Sequence, residues 1–367
     1  MGGSGEPNLA AAADGRIFLT WIETAAEGVA RLRLASRRAG EAWSTPTTIA
    51  AGAGLFVNWA DFPSLVALPG GALVAHWLTK NSGGGHGYDV RVSVSRDAGW
   101  SWSPPIVPHR DATPTEHGFV SLLPWSSAVA GVFWLDGRAA AGRLPADADM
   151  QLVHTTVDAA GDRGPEIILD TRVCDCCQTA AVRTDRGALV VYRDRSPTEL
   201  RDISIVRYEE GRWSEPQTLH ADGWEMNGCP VNGPAVAALG RHIAVAWFTA
   251  AHDEPEVKLL VSNDSGRSFG TPIRVDDGRP VGRVDVALLP DGEALVSWIE
   301  QTTAGAELRV RQSGGAGPRR PSLMVADSSS ARSSGFPRLE LAGDEPVLAW
   351  RALGEPGRVA TATLEAE

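Results

Sequence analysis

Several absences narrow what this chain can be. No run of about 18 apolar residues occurs, and the longest candidate, 121–135, is interrupted by Pro124, Ser126 and Ser127, so no membrane-spanning helix is expected. No stretch of Lys and Arg exceeds two residues and the net charge is -11, which argues against nucleic acid and against an anionic membrane surface. A small-molecule partner is the default that remains, and nothing in the sequence signals a protein partner. The opening Met1-Gly2-Gly3-Ser4-Gly5 lacks the charged and apolar regions of a signal peptide. Residues 1–6 are therefore read as a vector-derived or disordered leader. The compartment stays open: extracytoplasmic (periplasmic or secreted) if a signal peptide was trimmed, cytoplasmic otherwise.

Cysteine is scarce too. Only four occur, three of them in Cys174-Asp175-Cys176-Cys177 and the fourth, Cys229, in the comparable place one repeat later. An even count would fit two disulfides in a secreted protein, Cys174 to Cys229 for example. The clustering is a poor framework for that, because adjacent Cys176 and Cys177 would close only a strained vicinal bond. Soft-metal ligation is the preferred reading. On a strand, Cys174 and Cys176 would share a face, a bulge would bring Cys177 beside them, and Cys229 would close from the adjacent repeat. Thiolates select Cu(I), Zn or iron–sulfur clusters, and structural zinc sites normally use Cys-x2-Cys knuckles. Copper is thus the preferred cofactor and zinc the alternative, with His117 as a further ligand or base.

What is present is repetition. Apolar strands carrying one aromatic recur at Trp21, Trp77, Trp134, Tyr192, Trp247, Trp298 and Trp350, spaced 56, 57, 58, 55, 51 and 52 residues apart. A period near 50 with four short strand signals per unit predicts an all-β chain: a β-propeller of four-stranded antiparallel blades forming a single domain over 7–367. Seven blades are preferred, the last (336–364) short of its fourth strand, with six as the alternative. Ser95-Arg96-Asp97-Ala98-Gly99-Trp100-Ser101-Trp102 and Ser262-Asn263-Asp264-Ser265-Gly266-Arg267-Ser268-Phe269 both fit Ser-x-Asp-x-Gly-x-x-aromatic, a third-to-fourth strand turn in which Asp accepts backbone N–H bonds and Gly supplies positive φ.

Blade-to-blade connections and second-to-third strand loops should open on the opposite face and carry function. On that mouth, Asp61, His117, Arg193 and Arg201 are the candidate catalytic residues. Asp61, beside Trp59, is a possible acid or base, with a turn role before Phe62-Pro63 as its alternative. Arg193 and Arg201 would orient a substrate carboxylate, or simply stiffen a salt-bridged loop. Trp59, Gln178, Arg195, Asp202, Asn232 and Arg283 are candidates for substrate contact, and His86 and His252 are further mouth histidines.

The segments Asn58-Trp59-Ala60-Asp61-Phe62-Pro63-Ser64, Thr115-Glu116-His117-Gly118-Phe119-Val120-Ser121, Cys174-Asp175-Cys176-Cys177-Gln178-Thr179, Tyr192-Arg193-Asp194-Arg195-Ser196 and Gly228-Cys229-Pro230-Val231-Asn232-Gly233-Pro234 resemble a group of bacterial sialidase-like Asp-box (BNR) repeat proteins over about 55–275. The resemblance implies a sialidase-like scaffold. Family sialidases bind the sugar carboxylate with three arginines, use a tyrosine nucleophile paired with glutamate, and carry Arg-Ile-Pro early on. This chain has no Arg-Ile-Pro, and of its three tyrosines Tyr88 alone sits in a mouth loop, with no evident Glu partner. Three functions are carried forward: a copper-dependent oxidoreductase acting on a small substrate, a sialidase-type hydrolase using Arg172, Arg283, Arg338 and Asp61, and a non-catalytic ligand-binding propeller with disulfides.

Overall fold

The computed structural model describes residues 2–25, 28–85, 87–142, 149–314 and 320–364; His86 lies outside the described residues. Each recurring aromatic falls in the second strand of a blade, in Arg16–Thr24, Leu73–Lys80, Val129–Asp136, Gly187–Arg193, His242–Thr249, Ala294–Gln301 and Glu345–Ala352. These strands are apolar on both faces because each is covered by the blades before and after it. Trp134, Trp247 and Trp298 are completely buried. A buried indole N–H needs an acceptor. Trp21 donates to Glu23 at 3.2 Å, Trp134 to Asp136 at 2.6 Å and Trp298 to Glu300 at 2.6 Å, each two residues on and therefore on the same strand face. Trp247 uses Asp222 at 2.7 Å, and the Tyr192 hydroxyl donates to Asp170 at 2.6 Å.

Seven antiparallel meanders follow in chain order among the described residues. Blade one is Ser4–Ala11, Arg16–Thr24, Ala30–Arg38 and Thr47–Gly52; blade two is Ser64–Ala67, Leu73–Lys80 and Tyr88–Ser95, with Ile106 bridging Val92 where a fourth strand would run. Blade three is His117–Pro124, Val129–Asp136, Met150–Asp158 and Ile167–Val173. Blade four is Ala180–Thr184, Gly187–Arg193 and Ile203–Glu209, onto which both Arg212–Trp213 and Gln217–His220 pair. Blade five is Ala235–Leu239, His242–Thr249, Glu256–Ser262 and Ile273–Arg274, and blade six is Pro280–Leu288, Ala294–Gln301, Ala306–Ser313 and Leu323–Ser328. Blade seven has three strands, Arg338–Ala342, Glu345–Ala352 and Arg358–Thr363.

First strands touch their neighbours in order around the axis, and Ser4–Ala11 touches both Ser64–Ala67 and Arg338–Ala342, which closes the ring at seven rather than six. Together they line a central cavity of about 380 Å³. The leader expected over 1–6 needs correcting. Ser4 and Gly5 already pair with Glu23 and Ile22, and the Ser4 N–H donates to the Gly357 carbonyl at 2.8 Å, so the ring closes through residues that composition alone marked as dispensable.

The two matching turns are built alike. In one, Ser95 Oγ donates to Asp97 at 2.8 Å and accepts the Gly99 N–H at 2.8 Å, while Asp97 accepts the Ser101 N–H at 2.9 Å. In the other, the corresponding bonds among Ser262, Asp264, Gly266 and Ser268 are 2.7, 2.9 and 2.9 Å. Gly99 and Gly266 have φ of 93° and 80°, and a Cβ on either would stand 2.4 Å from a leucine methyl of the preceding blade, Leu34 or Leu189. Gly292 has a similar φ of 85° but open space around it. Alanine at Gly99 or Gly266 should therefore destabilise by about 1–3 kcal/mol and lower the melting temperature more than alanine at Gly292. Equal losses at all three would contradict this packing role.

Candidate functional site

Cys174 to Thr179 connects the fourth strand of blade three to the first strand of blade four. It is a turn, not the bulged strand expected for it. The chain reverses at Asp175 and Cys176, and that reversal gathers the sulfurs. The Sγ atoms of Cys174, Cys176 and Cys177 lie within 4.8 Å of one another, and those of Cys176 and Cys229 within 4.8 Å of each other and of an Asp175 carboxylate oxygen. Cys174 and Cys176 are 3.9 Å apart. All four cysteines are free; Cys174 and Cys177 are buried and Cys229 is exposed.

The thiols are electrostatically unequal. Burial pushes Cys174 up to about 12. Hydrogen bonds to Cys174, Cys177 and Cys229 raise Cys176 as well. Burial also acts against ionisation of Cys177, but hydrogen bonds from Cys174 and Cys176, the Arg193 charge and the Asn232 backbone N–H outweigh it and hold this thiol well below the usual range. Cys229 is lowered chiefly by its hydrogen bond from Cys176. Cys174 and Cys176 are thus raised and Cys177 and Cys229 lowered.

The donor set fits a soft ion. Two sulfurs at about 2.3 Å from one tetrahedral ion are about 3.8 Å apart, close to the Cys174 to Cys176 separation. Copper(I) and zinc both suit such a set, and the spacing alone does not choose between them.

Several residues expected to touch substrate turn out to be struts. Arg193 is 2% exposed and spends its guanidinium on the backbone carbonyls of Asn232, Arg201 and Phe248. Its own carbonyl accepts the Cys174 N–H at 3.0 Å, and with every guanidinium nitrogen on a backbone carbonyl its assignment as a substrate clamp is corrected. Arg283 bonds Ser334 Oγ and the carbonyls of Gly335, Ser330 and Ala331. Gln178 bridges the Ala60 carbonyl and the Gly233 N–H at 2.6 and 2.9 Å. Asn232 accepts the Arg283 N–H at 2.7 Å, Asp202 accepts the N–H groups of Gly223 and Trp224, and Arg195 pairs with Glu199. Trp59 is half-buried beneath the guanidiniums of Arg283 and Arg332. Arg201 differs. Its Nη2 bonds Glu199 at 2.7 Å, but its Nη1 and Asp175 Oδ1 face each other at 3.8 Å, both buried and both without a hydrogen-bond partner among the described residues.

Arg172, Arg283 and Arg338 do not converge on a carboxylate site. Arg172 faces Asp149 and Glu199, Arg283 the 330–335 loop, and Arg338 pairs with Asp285 at 3.0 Å. His117 is likewise not a ligand of the thiol site. Its nitrogens gather with Asp111 and Asp136, and with Asp89 and His109, on the blade two to three side. His252 is exposed at φ 59° and joins neither cluster.

Asp61 does reach the central cavity. It accepts the Phe119 N–H at 2.8 Å, and the Tyr88 hydroxyl oxygen lies 2.9 Å from Asp61 Oδ2 and 2.6 Å from Glu116 Oε1; the single hydroxyl proton goes to Glu116 when Asp61 carries its own proton and donates to the Tyr88 oxygen. Glu116 is therefore the tyrosine partner that sequence inspection missed. It precedes His117 on the next blade, 28 residues away, so spacing offered no signal.

No protein-family model matches the chain and no curated protein matches its sequence closely enough to count as a relative. Solved structures do match its fold. A Hadza microbial sialidase is 14% identical over 95% of this chain and 76% of that one, with a TM-score of 0.53. The Penicillium chrysogenum alpha-L-arabinanase complexed with arabinobiose is 14% identical over 99% and 93%, at 0.52. A Dyadobacter fermentans protein of unknown function is 13% identical over 100% and 95%, at 0.57. Identities this low show the shared fold alone. The sialidase-like scaffold is matched, whereas membership of a family bearing Cys-x-Cys-Cys is not shown by any of these comparisons.

Burial raises the Asp61 carboxyl from 3.8 to about 8, the hydrogen bonds from Phe119 and Tyr88 only partly offsetting it. The folded chain thus keeps a proton that the unfolded chain releases. Stability from this group is complete below about pH 4 and is lost as pH rises to about 8. Asp61→Asn should flatten the decline of melting temperature across that window; an unchanged slope would show that Asp61 does not hold the proton.

Proposed function

We propose that this propeller is an enzyme whose Cys174, Cys176, Cys177 and Cys229 hold a soft metal ion, copper(I) in preference to zinc, for redox chemistry on a small substrate at the mouth. The observation that carries the reading is that the free sulfurs of Cys174, Cys176 and Cys177 lie within 4.8 Å of one another and that of Cys229, from the next blade-to-blade connection, lies within 4.8 Å of Cys176. The preference for copper rests on the all-sulfur donors and on the third thiol, Cys176, inside the Cys174-x2-Cys177 spacing, which a plain zinc knuckle does not carry.

A thiolate-held copper ion supplies one-electron chemistry when bound. The chain's own residues set its surroundings. The Arg193 carbonyl accepts the Cys174 N–H, its guanidinium holds the Asn232 carbonyl, and its charge favours the Cys177 thiolate. Cys229, the exposed member, faces the side from which a small molecule arrives. Arg201 closes this corner from within, its Nη2 on Glu199 and its buried Nη1 3.8 Å from the Asp175 carboxylate.

A second reading is favoured by a separate observation. Tyr88 stands between Glu116 and the cavity-lining Asp61, which resembles the tyrosine–glutamate pair and aspartate of a sialidase-type hydrolase. Tyr88 is only 1% exposed and stacks on Phe56, and the three arginines have other partners, so this reading ranks second. Cleavage of a fluorogenic sialoside without added metal would support it.

Anaerobic loading followed by elemental analysis tests the preferred reading. The chain should retain about one copper, and serine at Cys177 or Cys229 should weaken binding by more than about 100-fold in competition with a Cu(I) chelator. Full retention by both variants would overturn the assignment.

A further inference from the structure

The four sulfurs differ in what can reach them. Cys174 and Cys177 are 0% and 1% exposed, Cys176 is half-buried and Cys229 is exposed. They differ also in what they can reach. Cys176 lies within 4.8 Å of Cys174, of Cys177 and of Cys229, whereas neither Cys174 nor Cys177 groups with Cys229 at that distance. Cys229 thus has one sulfur neighbour, and that neighbour is the next most accessible thiol of the chain.

The backbone on the Cys229 side can close the gap between them. Met226 is pinned by its N–H on the Glu199 carbonyl at 3.0 Å, and Asn232 by its carbonyl on Arg193 Nε at 2.8 Å and its side-chain oxygen on the Arg283 N–H at 2.7 Å. Between these anchors, no N–H of Asn227, Gly228, Cys229 or Val231 bonds a backbone carbonyl among the described residues, and Pro230 has none to give. A disulfide needs its sulfurs about 2.05 Å apart, so a movement of this short tip by up to about 3 Å completes the bond.

Other pairings are worse placed. Adjacent Cys176 and Cys177 would close only a strained vicinal bond. Cys174, 3.9 Å from Cys176, shares the burial of Cys177, so neither of these two meets an oxidant first.

We propose that Cys229 and Cys176 form a reversible disulfide on reaction with a small hydroperoxide, with Cys229 taking the oxidant and Cys176 closing the bond. The Cys229 sulfur attacks the outer peroxide oxygen, the O–O bond breaks, and the leaving oxygen departs as an alcohol or water with the Cys229 proton. The Cys176 sulfur then attacks the sulfenic acid so formed; the S–S bond forms, the S–O bond breaks, and hydroxide leaves as water with the Cys176 proton. The two thiols supply both electrons that reduce the peroxide. The bond ties the connection before blade four to the connection before blade five. It also takes two of the four sulfurs from the cluster, so the oxidised chain should release a bound ion, a consequence that alone rests on the metal reading.

Hydrogen peroxide added to the reduced, metal-free chain tests the proposal, read by free-thiol count and by mass mapping of alkylated peptides. The four free thiols should fall to two, with Cys176 linked to Cys229 and with Cys174 and Cys177 alkylated, and dithiothreitol should restore all four. Cys229→Ser should slow thiol loss by more than about tenfold, and Cys176→Ser should stop at a Cys229 sulfenic acid that dimedone labels. Four thiols surviving peroxide, a map linking Cys174 to Cys176 or to Cys177 with Cys229 still a thiol, or thiol loss unchanged in Cys229→Ser would each overturn it. Should the variants not fold, the peptide map of the unmodified chain decides. Metal content separates the two claims: a chain that forms the bond yet never takes up copper keeps this inference and loses the metal reading, and a chain that binds copper but shows no link between Cys176 and Cys229 does the reverse.

Discussion

The structure depends on burying one large aromatic of nearly every blade against the next blade while giving its polar atom an acceptor. An indole or phenol in a dry interface is tolerated only if its N–H or O–H is bonded. On strands the acceptor can sit two residues on, and in blades one, three and six it does, as Glu23, Asp136 and Glu300. Those carboxylates fall at or near the mouth ends of second strands. The device that completes the interior thus also delivers negative charge to the functional face. Asp136 is the clearest case: it accepts the Trp134 N–H, pairs with Arg138, and stands 3.7 Å from the His117 ring.

A second layer of struts ties neighbouring connections together. Gln178 links the approach to blade two with the approach to blade five, Asn232 links blades five and six, and Arg193 links blades four and five through backbone carbonyls. Charged groups so deeply buried are stable only when every polar atom is used. These residues therefore act on the thiol turn by fixing its backbone. Arg201 belongs to the same layer, bonded to Glu199 at 2.7 Å and facing the Asp175 carboxylate at 3.8 Å.

The repeat was legible in the sequence because strand burial and aromatic spacing are local, periodic properties. Trp21 through Trp350 mark all seven second strands, and the Ser-x-Asp-x-Gly turns form the bonds their residue types imply. The mouth face followed from topology, as did the approach of Cys229 to the other cysteines. What spacing could not supply was the partner of each side chain. Arg193, Arg283, Gln178 and Asn232 look like ligand-binding residues until their bonds to carbonyls and N–H groups of distant loops are seen. His117 was drawn towards the thiols only because both lie on one face, and its neighbours His109 and Asp111 come from a connection with no periodic signal. Ser4 to Glu6 carried a composition typical of leaders, yet the need to close the ring against blade seven makes them strand.

The central claim is that the four cysteines bind one soft ion as thiolates. X-ray absorption at the copper edge, on anaerobically loaded protein, measures the donor atoms directly. A first shell dominated by sulfur is the result this account predicts. A shell of nitrogen and oxygen alone would contradict it, because the cysteines would then be bystanders and the copper would reside elsewhere in the molecule.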